Sequence, residues 1–328
     1  MQSSVITYSR NVFLPLTDVC HNRCAYCIFK EPVREGCIMY EKDVTDILQK
    51  GASSGCTEAL FTFGERPELE PGFMHHLKKT GFDSILDYCY SMSVKAIDAG
   101  LLPHTNAGIL DYNELEKLKT VNASMGLMLE TTAEIPAHKN SPGKDPGVRI
   151  AMMEDAGKLR IPFTTGLLLG IGESMSDREE SLEVVESLHR RYGHIQEIII
   201  QNFCPKPGTA MERWPVPSTE EICETIMLAG EILSDDISIQ IPPNLIDAKL
   251  LIDCGVDDLG GVSPVTIDYV NPEHPWPAID ELKELAGTRV LKERLCIYQK
   301  YIDLGWYPSN LSALIDRLNK DIHNRSDK

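Results

Sequence analysis

Several things are missing from this sequence of 328 residues, and each omission excludes a class of function. No uninterrupted apolar stretch approaches the roughly 18 residues that span a bilayer. The opening MQSSVITYSRNVFLPL has neither a basic segment nor a sustained apolar one, so it does not read as a secretion signal. Positive charge is scarce: 32 Lys and Arg stand against 49 Asp and Glu, a net charge of −17. A field of that sign repels phosphate backbones and argues against general nucleic-acid binding. There is no repeat, no low-complexity run and no linker-like segment. The full glycine fingerprint of a nicotinamide-binding fold is absent as well. These omissions leave a chain expected in the reducing cytoplasm. There its ten cysteines read as reduced, metal-bound or catalytic rather than disulfide-linked.

What is present is alternation. Strands read at 11–16, 58–63, 101–104, 124–129, 163–169 and through IQEIIIQNF, with weaker ones at 237–241 and 258–262. Helices read at 40–49, 83–99, 113–119, 148–158 and 177–192, with a short one at 247–254. Another runs through STEEICETIMLAGEIL, where Ser218 and Glu221 have the spacing of a capping box. A charged helix over 279–302 and a last one over 310–321 follow. Six to eight β-then-α units predict a parallel sheet. Unusual residues follow strand after strand: CHNRCAYC, GERPE, PHTN, GIGES, CPKPG, PPN and GGVSP. A barrel collects its chemistry in that way, at the ends of all its strands, whereas an open sheet concentrates it at one switch point. The expected fold is therefore α/β, a (βα) barrel over 1–265 with a C-terminal helical extension over 266–328.

Three cysteines, Cys20, Cys24 and Cys27, fall in one loop after the first strand. Soft thiolates suit an iron–sulfur cluster, zinc or copper(I). A zinc knuckle needs a fourth ligand, and His21 or Cys37 is the available choice. A cubane cluster also normally takes four cysteines. With three, one iron is left for a substrate or cofactor. Tyr26 and Phe29 are placed to shield such a centre, and Arg23 adds positive charge beside it. The other seven cysteines are scattered, none close in sequence to another, and read as small core or surface residues.

Cys-x-x-x-Cys-x-x-Cys with an aromatic residue before the last cysteine resembles the signature of the radical S-adenosylmethionine superfamily. The resemblance implies a [4Fe–4S] cluster on Cys20, Cys24 and Cys27 whose open iron chelates S-adenosylmethionine. One electron then cleaves the sulfonium to a 5′-deoxyadenosyl radical. It also assigns cofactor contacts: Gly64 and Glu65 of GERPE to the methionine amino group, Glu130 to the adenosyl side, Arg149 to the methionine carboxylate, and Gly170 and Ile171 of GLLLGIGES to adenine.

More segments, among them QEIIIQNFCPKPGTAM, IPPNL and GGVSPVTIDYVNPEHPWP, are similar to the CofG-type subunits of deazaflavin-forming synthases. That narrower likeness implies a lyase that closes a deazaflavin ring on an adduct of a 4-hydroxybenzyl group and a ribitylaminouracil. A CofH-type partner would supply the adduct and a one-electron reductant would drive the cluster. A CofH-type or menaquinone-pathway enzyme is the alternative within the superfamily. A zinc-stabilised binding protein is the alternative outside it. A polar substrate needs matched donors and acceptors. His104, Asn106, Gln201, Asn202 and Asn244, at or after strand ends, are the candidates, with His138 as a base and Trp276 as a stacking ring over the barrel mouth.

Overall fold

The structure, a computed structural model, describes residues 4–326. Eight strands form a closed parallel barrel: β1 (Val5–Leu14), β2 (Glu58–Thr62), β3 (Leu102–Asn106), β4 (Ser124–Gly126), β5 (Phe163–Leu169), β6 (Ile195–Asn202), β7 (Ser238–Gln240) and β8 (Asp258–Val262). Each pairs with the next, and β1 pairs with both β8 and β2 to close the ring. Helices cover the outside, so the strands are buried on both faces. Their sequences read as near-continuous apolar runs for that reason, and β5 is buried along its whole length.

β1 begins six residues before the expected start because it has three neighbours. Asn11–Leu14 pairs with β2 and Thr7–Arg10 with β8. The leading Val5–Tyr8 takes a ninth strand, β9 (Val290–Glu293), also in parallel. That strand overturns the single helix expected over 279–302. Two short helices, Ile279–Ala286 and Gln299–Asp303, flank it instead. The physical reason lies just after β9. Arg294 enters the N-terminal end of the barrel, 2.7 Å from Glu197 and 2.6 Å from Asp258. The ring of Tyr298 lies 4.4 Å from the Arg294 guanidinium, and its hydroxyl donates to both carboxylates. Ser124 Oγ and Gln196 Nε2 donate to Cys296 O at 2.8 Å. A continuous helix could not deliver those groups to that opening.

The chain after β8 thus serves both ends. Residues 266–277 cross the mouth, where the strands end, and β9 with residues 294–298 closes the bottom. The helix Ser312–Ser326 sends Arg317 to Gly100 O and Arg325 to Gly55 O, carbonyls at the ends of two outer helices.

Two further expectations are corrected. Cys223 and Cys254 form a disulfide with Cα atoms 5.6 Å apart. They are 31 residues apart in sequence, and only the packing of helix Thr219–Ile232 on helix Ala248–Ile252 brings them together. His104 is not at a strand end: β3 continues to Asn106. Its Nδ1 is 2.7 Å from Ser124 Oγ, and burial and Arg294 lower its pKa to about 3, so the ring is neutral. No helix among the described residues is long and apolar enough to cross a membrane.

Candidate active site

Cys20, Cys24 and Cys27 lie in the loop after β1, all three thiols free and half-buried. Cys27 N–H donates to Cys24 O at 3.3 Å, a tight turn joining the second and third cysteines. Neighbouring loops hold this turn from two sides.

The first support comes from the end of β2. Gly64 N–H donates to Thr17 O at 2.9 Å, and a Cβ on Gly64 would lie 1.9 Å from Val19 O. Only glycine permits that approach. The next peptide profits from it: Glu65 N–H reaches Cys20 Sγ at 3.3 Å, and Glu65 O accepts from His21 N–H at 2.8 Å. The close approach that Gly64 permits is made to the cysteine loop itself.

The second support is the segment after β4. This polar, Gly/Pro-rich segment folds into two turns, Pro136–His138 and Pro142–Lys144. Ala25 N–H donates to Ala137 O and Arg23 N–H to Ser141 Oγ, each at 2.9 Å. Gly143 N–H donates to Asn22 Oδ1 at 3.0 Å.

Glu130 is the hub of this clasp. Its backbone is left-handed, φ 68°, which turns the side chain toward the cysteine loop. The carboxylate accepts from the Tyr26 hydroxyl and from Lys144 Nζ. His138 Nε2 stands 3.2 Å from Glu130 Oε2 and 3.1 Å from the Tyr26 hydroxyl. Burial by itself would raise the Glu130 carboxyl, but Lys144, His138 and Arg149 outweigh it and hold it well below the usual range. Burial and Glu130 push the Tyr26 phenol well up, so it remains the donor. Arg149, itself buried, lies between two carboxylates, 3.7 Å from Glu65 and 4.0 Å from Glu130. It also donates to Gly143 O at 2.8 Å and to Met128 O. Glu65 packs against Gly108 and Gly143, where any Cβ would collide with it. Beyond β5, the N–H groups of Gly170 and Ile171 are taken by Glu173 at 2.7 and 2.8 Å, and Arg178 pairs with Glu173 at 2.7 Å.

The donor set fits an iron–sulfur cluster with one open iron. Of the two residues able to complete a four-ligand zinc site, Cys37 is buried in the apolar core and His21 Nδ1 faces Glu70 at 3.1 Å. A cavity of about 900 Å³ opens beside Cys24 and Cys27, bordered by Arg23, Lys30, Glu70 and the Pro207–Gly208 turn. Burial raises the Cys20 and Cys24 thiols, so a metal centre must displace their protons to bind.

The expected substrate contacts are spread around the mouth, Asn106 between the two supports of the cysteine turn and the others after β6 and β7. Asn106 closes β3 and Gln201 is the penultimate residue of β6, both half-buried. Asn202 Nδ2 lies 3.4 Å from Cys204 Sγ and 3.5 Å from Leu245 O. Asn244 donates to Asp268 Oδ2 and His274 O, 3.0 Å each. His104, one layer below, does not join them.

A family model described as the Radical SAM superfamily matches residues 14–185. The 7,8-didemethyl-8-hydroxy-5-deazariboflavin synthase of Methanoculleus marisnigri is 64% identical over 322 residues, covering 98% of this chain and 97% of that protein. The synthase of Methanoregula boonei is 62% identical, with 98% of each chain covered. The chain belongs to the radical SAM superfamily and, within it, to the 7,8-didemethyl-8-hydroxy-5-deazariboflavin synthases. Among solved structures, the [FeFe]-hydrogenase maturase HydG superposes with a TM-score of 0.73 over 96% of this chain and 69% of that one, at 14% identity. Methylornithine synthase PylB gives 0.62 over 95% and 86%, at 16% identity. At such identities the likeness concerns the barrel alone.

Radical SAM membership brings a [4Fe–4S] cluster on three cysteines, S-adenosylmethionine and a need for a reductant. Ser141, Lys144, Glu173 and Lys206 escaped the sequence reading. The first two lie in a polar stretch with no periodicity. Glu173 carried a weak signal: a carboxylate three residues past Gly170 can fold back onto its N–H.

Proposed function

We propose that this chain forms 7,8-didemethyl-8-hydroxy-5-deazariboflavin from 5-amino-5-(4-hydroxybenzyl)-6-(D-ribitylimino)-5,6-dihydrouracil. The substrate loses ammonia and two hydrogen equivalents. One hydrogen atom goes to the 5′-deoxyadenosyl group as S-adenosylmethionine becomes methionine and 5′-deoxyadenosine; the second hydrogen leaves as a proton and its electron replaces the one lent at the start. The observation that carries this reading is identity above 60% to two synthases across nearly the full chain. In it Cys20, Cys24 and Cys27 hold the cluster, which supplies one electron to the sulfonium and so a 5′-deoxyadenosyl radical.

The remaining chemistry belongs to binding and orientation. Arg149 and Glu65, poised as opposite charges, receive the carboxylate and ammonium of the methionine end. Glu130 lies on the adenosyl side, and the Gly170–Ile171 turn borders the adenine. His138 acts as a positioning residue for Glu130 and Tyr26, since its one described contact set lies inside the clasp. Asn106, Gln201, Asn202 and Asn244 meet the substrate. Residues 1–265 make the catalytic barrel and 266–328 serve it from both ends. A CofH-type enzyme supplies the adduct, in the cytoplasm, where a low-potential donor reduces the cluster.

The test is anaerobic reconstitution with iron and sulfide, then incubation with S-adenosylmethionine, a reductant and the adduct. Deazaflavin fluorescence is the expected result. Its absence from protein with an intact cluster refutes the assignment.

A further inference from the structure

The strap of residues 266–277 is anchored across one sector of the mouth. Thr266 Oγ1 accepts from Phe13 N–H at 2.9 Å, and the Tyr269 ring stacks on Phe13 at 5.4 Å. Asp268 accepts from the strap's own Val270 and Asn271 and from Asn244 of the loop after β7. Buried Lys206, after β6, pairs with Glu273. Contacts on β1 and on the loops after β6 and β7 therefore fix its course, while the cysteine clasp occupies the sector of β1, β2 and β4.

Within this framework two buried polar atoms have no partner, Asn244 Oδ1 and Trp276 Nε1. The Asn244 amide is not free to turn over. Its nitrogen faces a carboxylate and a carbonyl, both pure acceptors, so its oxygen must point the other way. An indole nitrogen only donates. The strap and the loop after β7 thus present one donor, on Trp276, and one acceptor, on Asn244, both of fixed polarity, on residues linked through His274, which touches Asn244 and stands two positions before Trp276. Buried groups of this kind are nearly always satisfied, and one left over in a folded protein calls for an explanation.

We propose that Asn244 Oδ1 and Trp276 Nε1 read the imide edge of the substrate's pyrimidinedione ring, the amide oxygen accepting the ring N–H and the indole donating to an adjacent ring carbonyl. This rests on the proposed function. The imide edge sets an N–H of fixed polarity between two carbonyls, which matches a pair that cannot exchange roles. A ribityl hydroxyl both donates and accepts, so it would not need a pair that cannot exchange roles. The indole also gives a planar ring an apolar face to pack on. Both atoms are shielded from solvent, so the ring enters with the strap displaced and is enclosed when it returns.

The test uses cluster-loaded protein and calorimetric binding of two probes, 5-amino-6-(D-ribitylamino)uracil and its imide-N-methylated analogue. Wild-type protein is expected to bind the methylated probe about tenfold more weakly, about 1.4 kcal/mol. Asn244→Ala is expected to bind both probes alike. Trp276→Phe keeps an aromatic ring but loses the N–H together with the rest of the five-membered ring, and is expected to weaken the parent probe about tenfold. A purely structural role for these residues would leave the ratio between probes unmoved. Equal binding of both probes by wild type, or unaltered binding of the parent by Trp276→Phe, overturns the inference even if Asn244→Ala does not fold. If wild type makes deazaflavin yet ignores methylation, only this inference fails. If it neither makes deazaflavin nor binds either probe, the proposed function fails with it.

Discussion

Replacing Glu130 by Gln removes one negative charge and almost no volume, so the result reads the electrostatics of the clasp directly. Glu130 is 8% exposed in its side chain and is met by Lys144 at 15% and Arg149 at 3%. Breaking a buried ion pair from one side costs about 3–5 kcal/mol. The lower end applies here, because Arg149 keeps Glu65, Gly143 O and Met128 O. Lys144 is the cation left alone, and its long stem lets it turn partly to water. A loss of about 3 kcal/mol should lower the thermal midpoint by roughly 6 °C, using about 2 °C per kcal/mol for a large domain. The loss should also be local. Through Tyr26 this carboxylate ties the cysteine loop to His138 and Lys144, so iron and sulfide should leave faster under a chelator while far-ultraviolet circular dichroism stays unchanged. The wild-type pH response has a definite sign. The Glu130 carboxyl is depressed on folding, so its stabilisation is present above the unfolded carboxylate range and disappears as pH falls through the lower folded value. The variant should lack that dependence. Unchanged midpoint and iron retention in Glu130→Gln would refute the reasoning.

Other perturbations test other parts. Arg294→Met leaves Glu197 and Asp258 buried without their cation and should cost about 3–5 kcal/mol at pH 8. That deficit should shrink toward pH 5 as Glu197, raised by burial, takes up a proton, and a thermal midpoint equally low at both pH values would contradict the account. In wild type, burial raises Glu58 and Asp257 to about 7. Both sit above their unfolded values, so their contribution should decline as pH rises from about 4 to 7, measurable by urea unfolding. Gly64→Ala should abolish cluster assembly, because its Cβ meets the backbone of Val19; full iron content in that variant would show that the loop can yield. Cys37→Ala should keep the brown colour and Cys24→Ala lose it, and the opposite pattern would mean that Cys37 is a ligand.

The barrel was legible because its strands are buried on both faces, so apolar runs such as FTTGLLL stand out from the polar helices between them. The cysteine turn was legible because three ligands lie within eight residues. What escaped depends on contacts distant in sequence. VLKE in β9 has no strand signature of its own and is a strand because β1, more than 280 residues earlier, has an open edge there. Cys223 and Cys254 meet only through helix packing. The clasp after β4 was hidden for a different reason: its order comes from side chains bonding backbone and from one carboxylate gathering Tyr26, His138 and Lys144, a pattern without periodicity. His104 was misplaced because the strand was read over 101–104, whereas the ladder with β2 continues to Asn106.

The cysteine clasp and the mouth strap draw on separate stretches of chain. The clasp uses residues 17–27, 64–65 and 130–149, and the strap's ties, Phe13 apart, lie beyond residue 200. Such segregation makes the two halves exchangeable. A donor strap and its two receiving loops could be grafted onto this barrel without touching the radical-generating turn, redirecting the same homolysis to a different molecule.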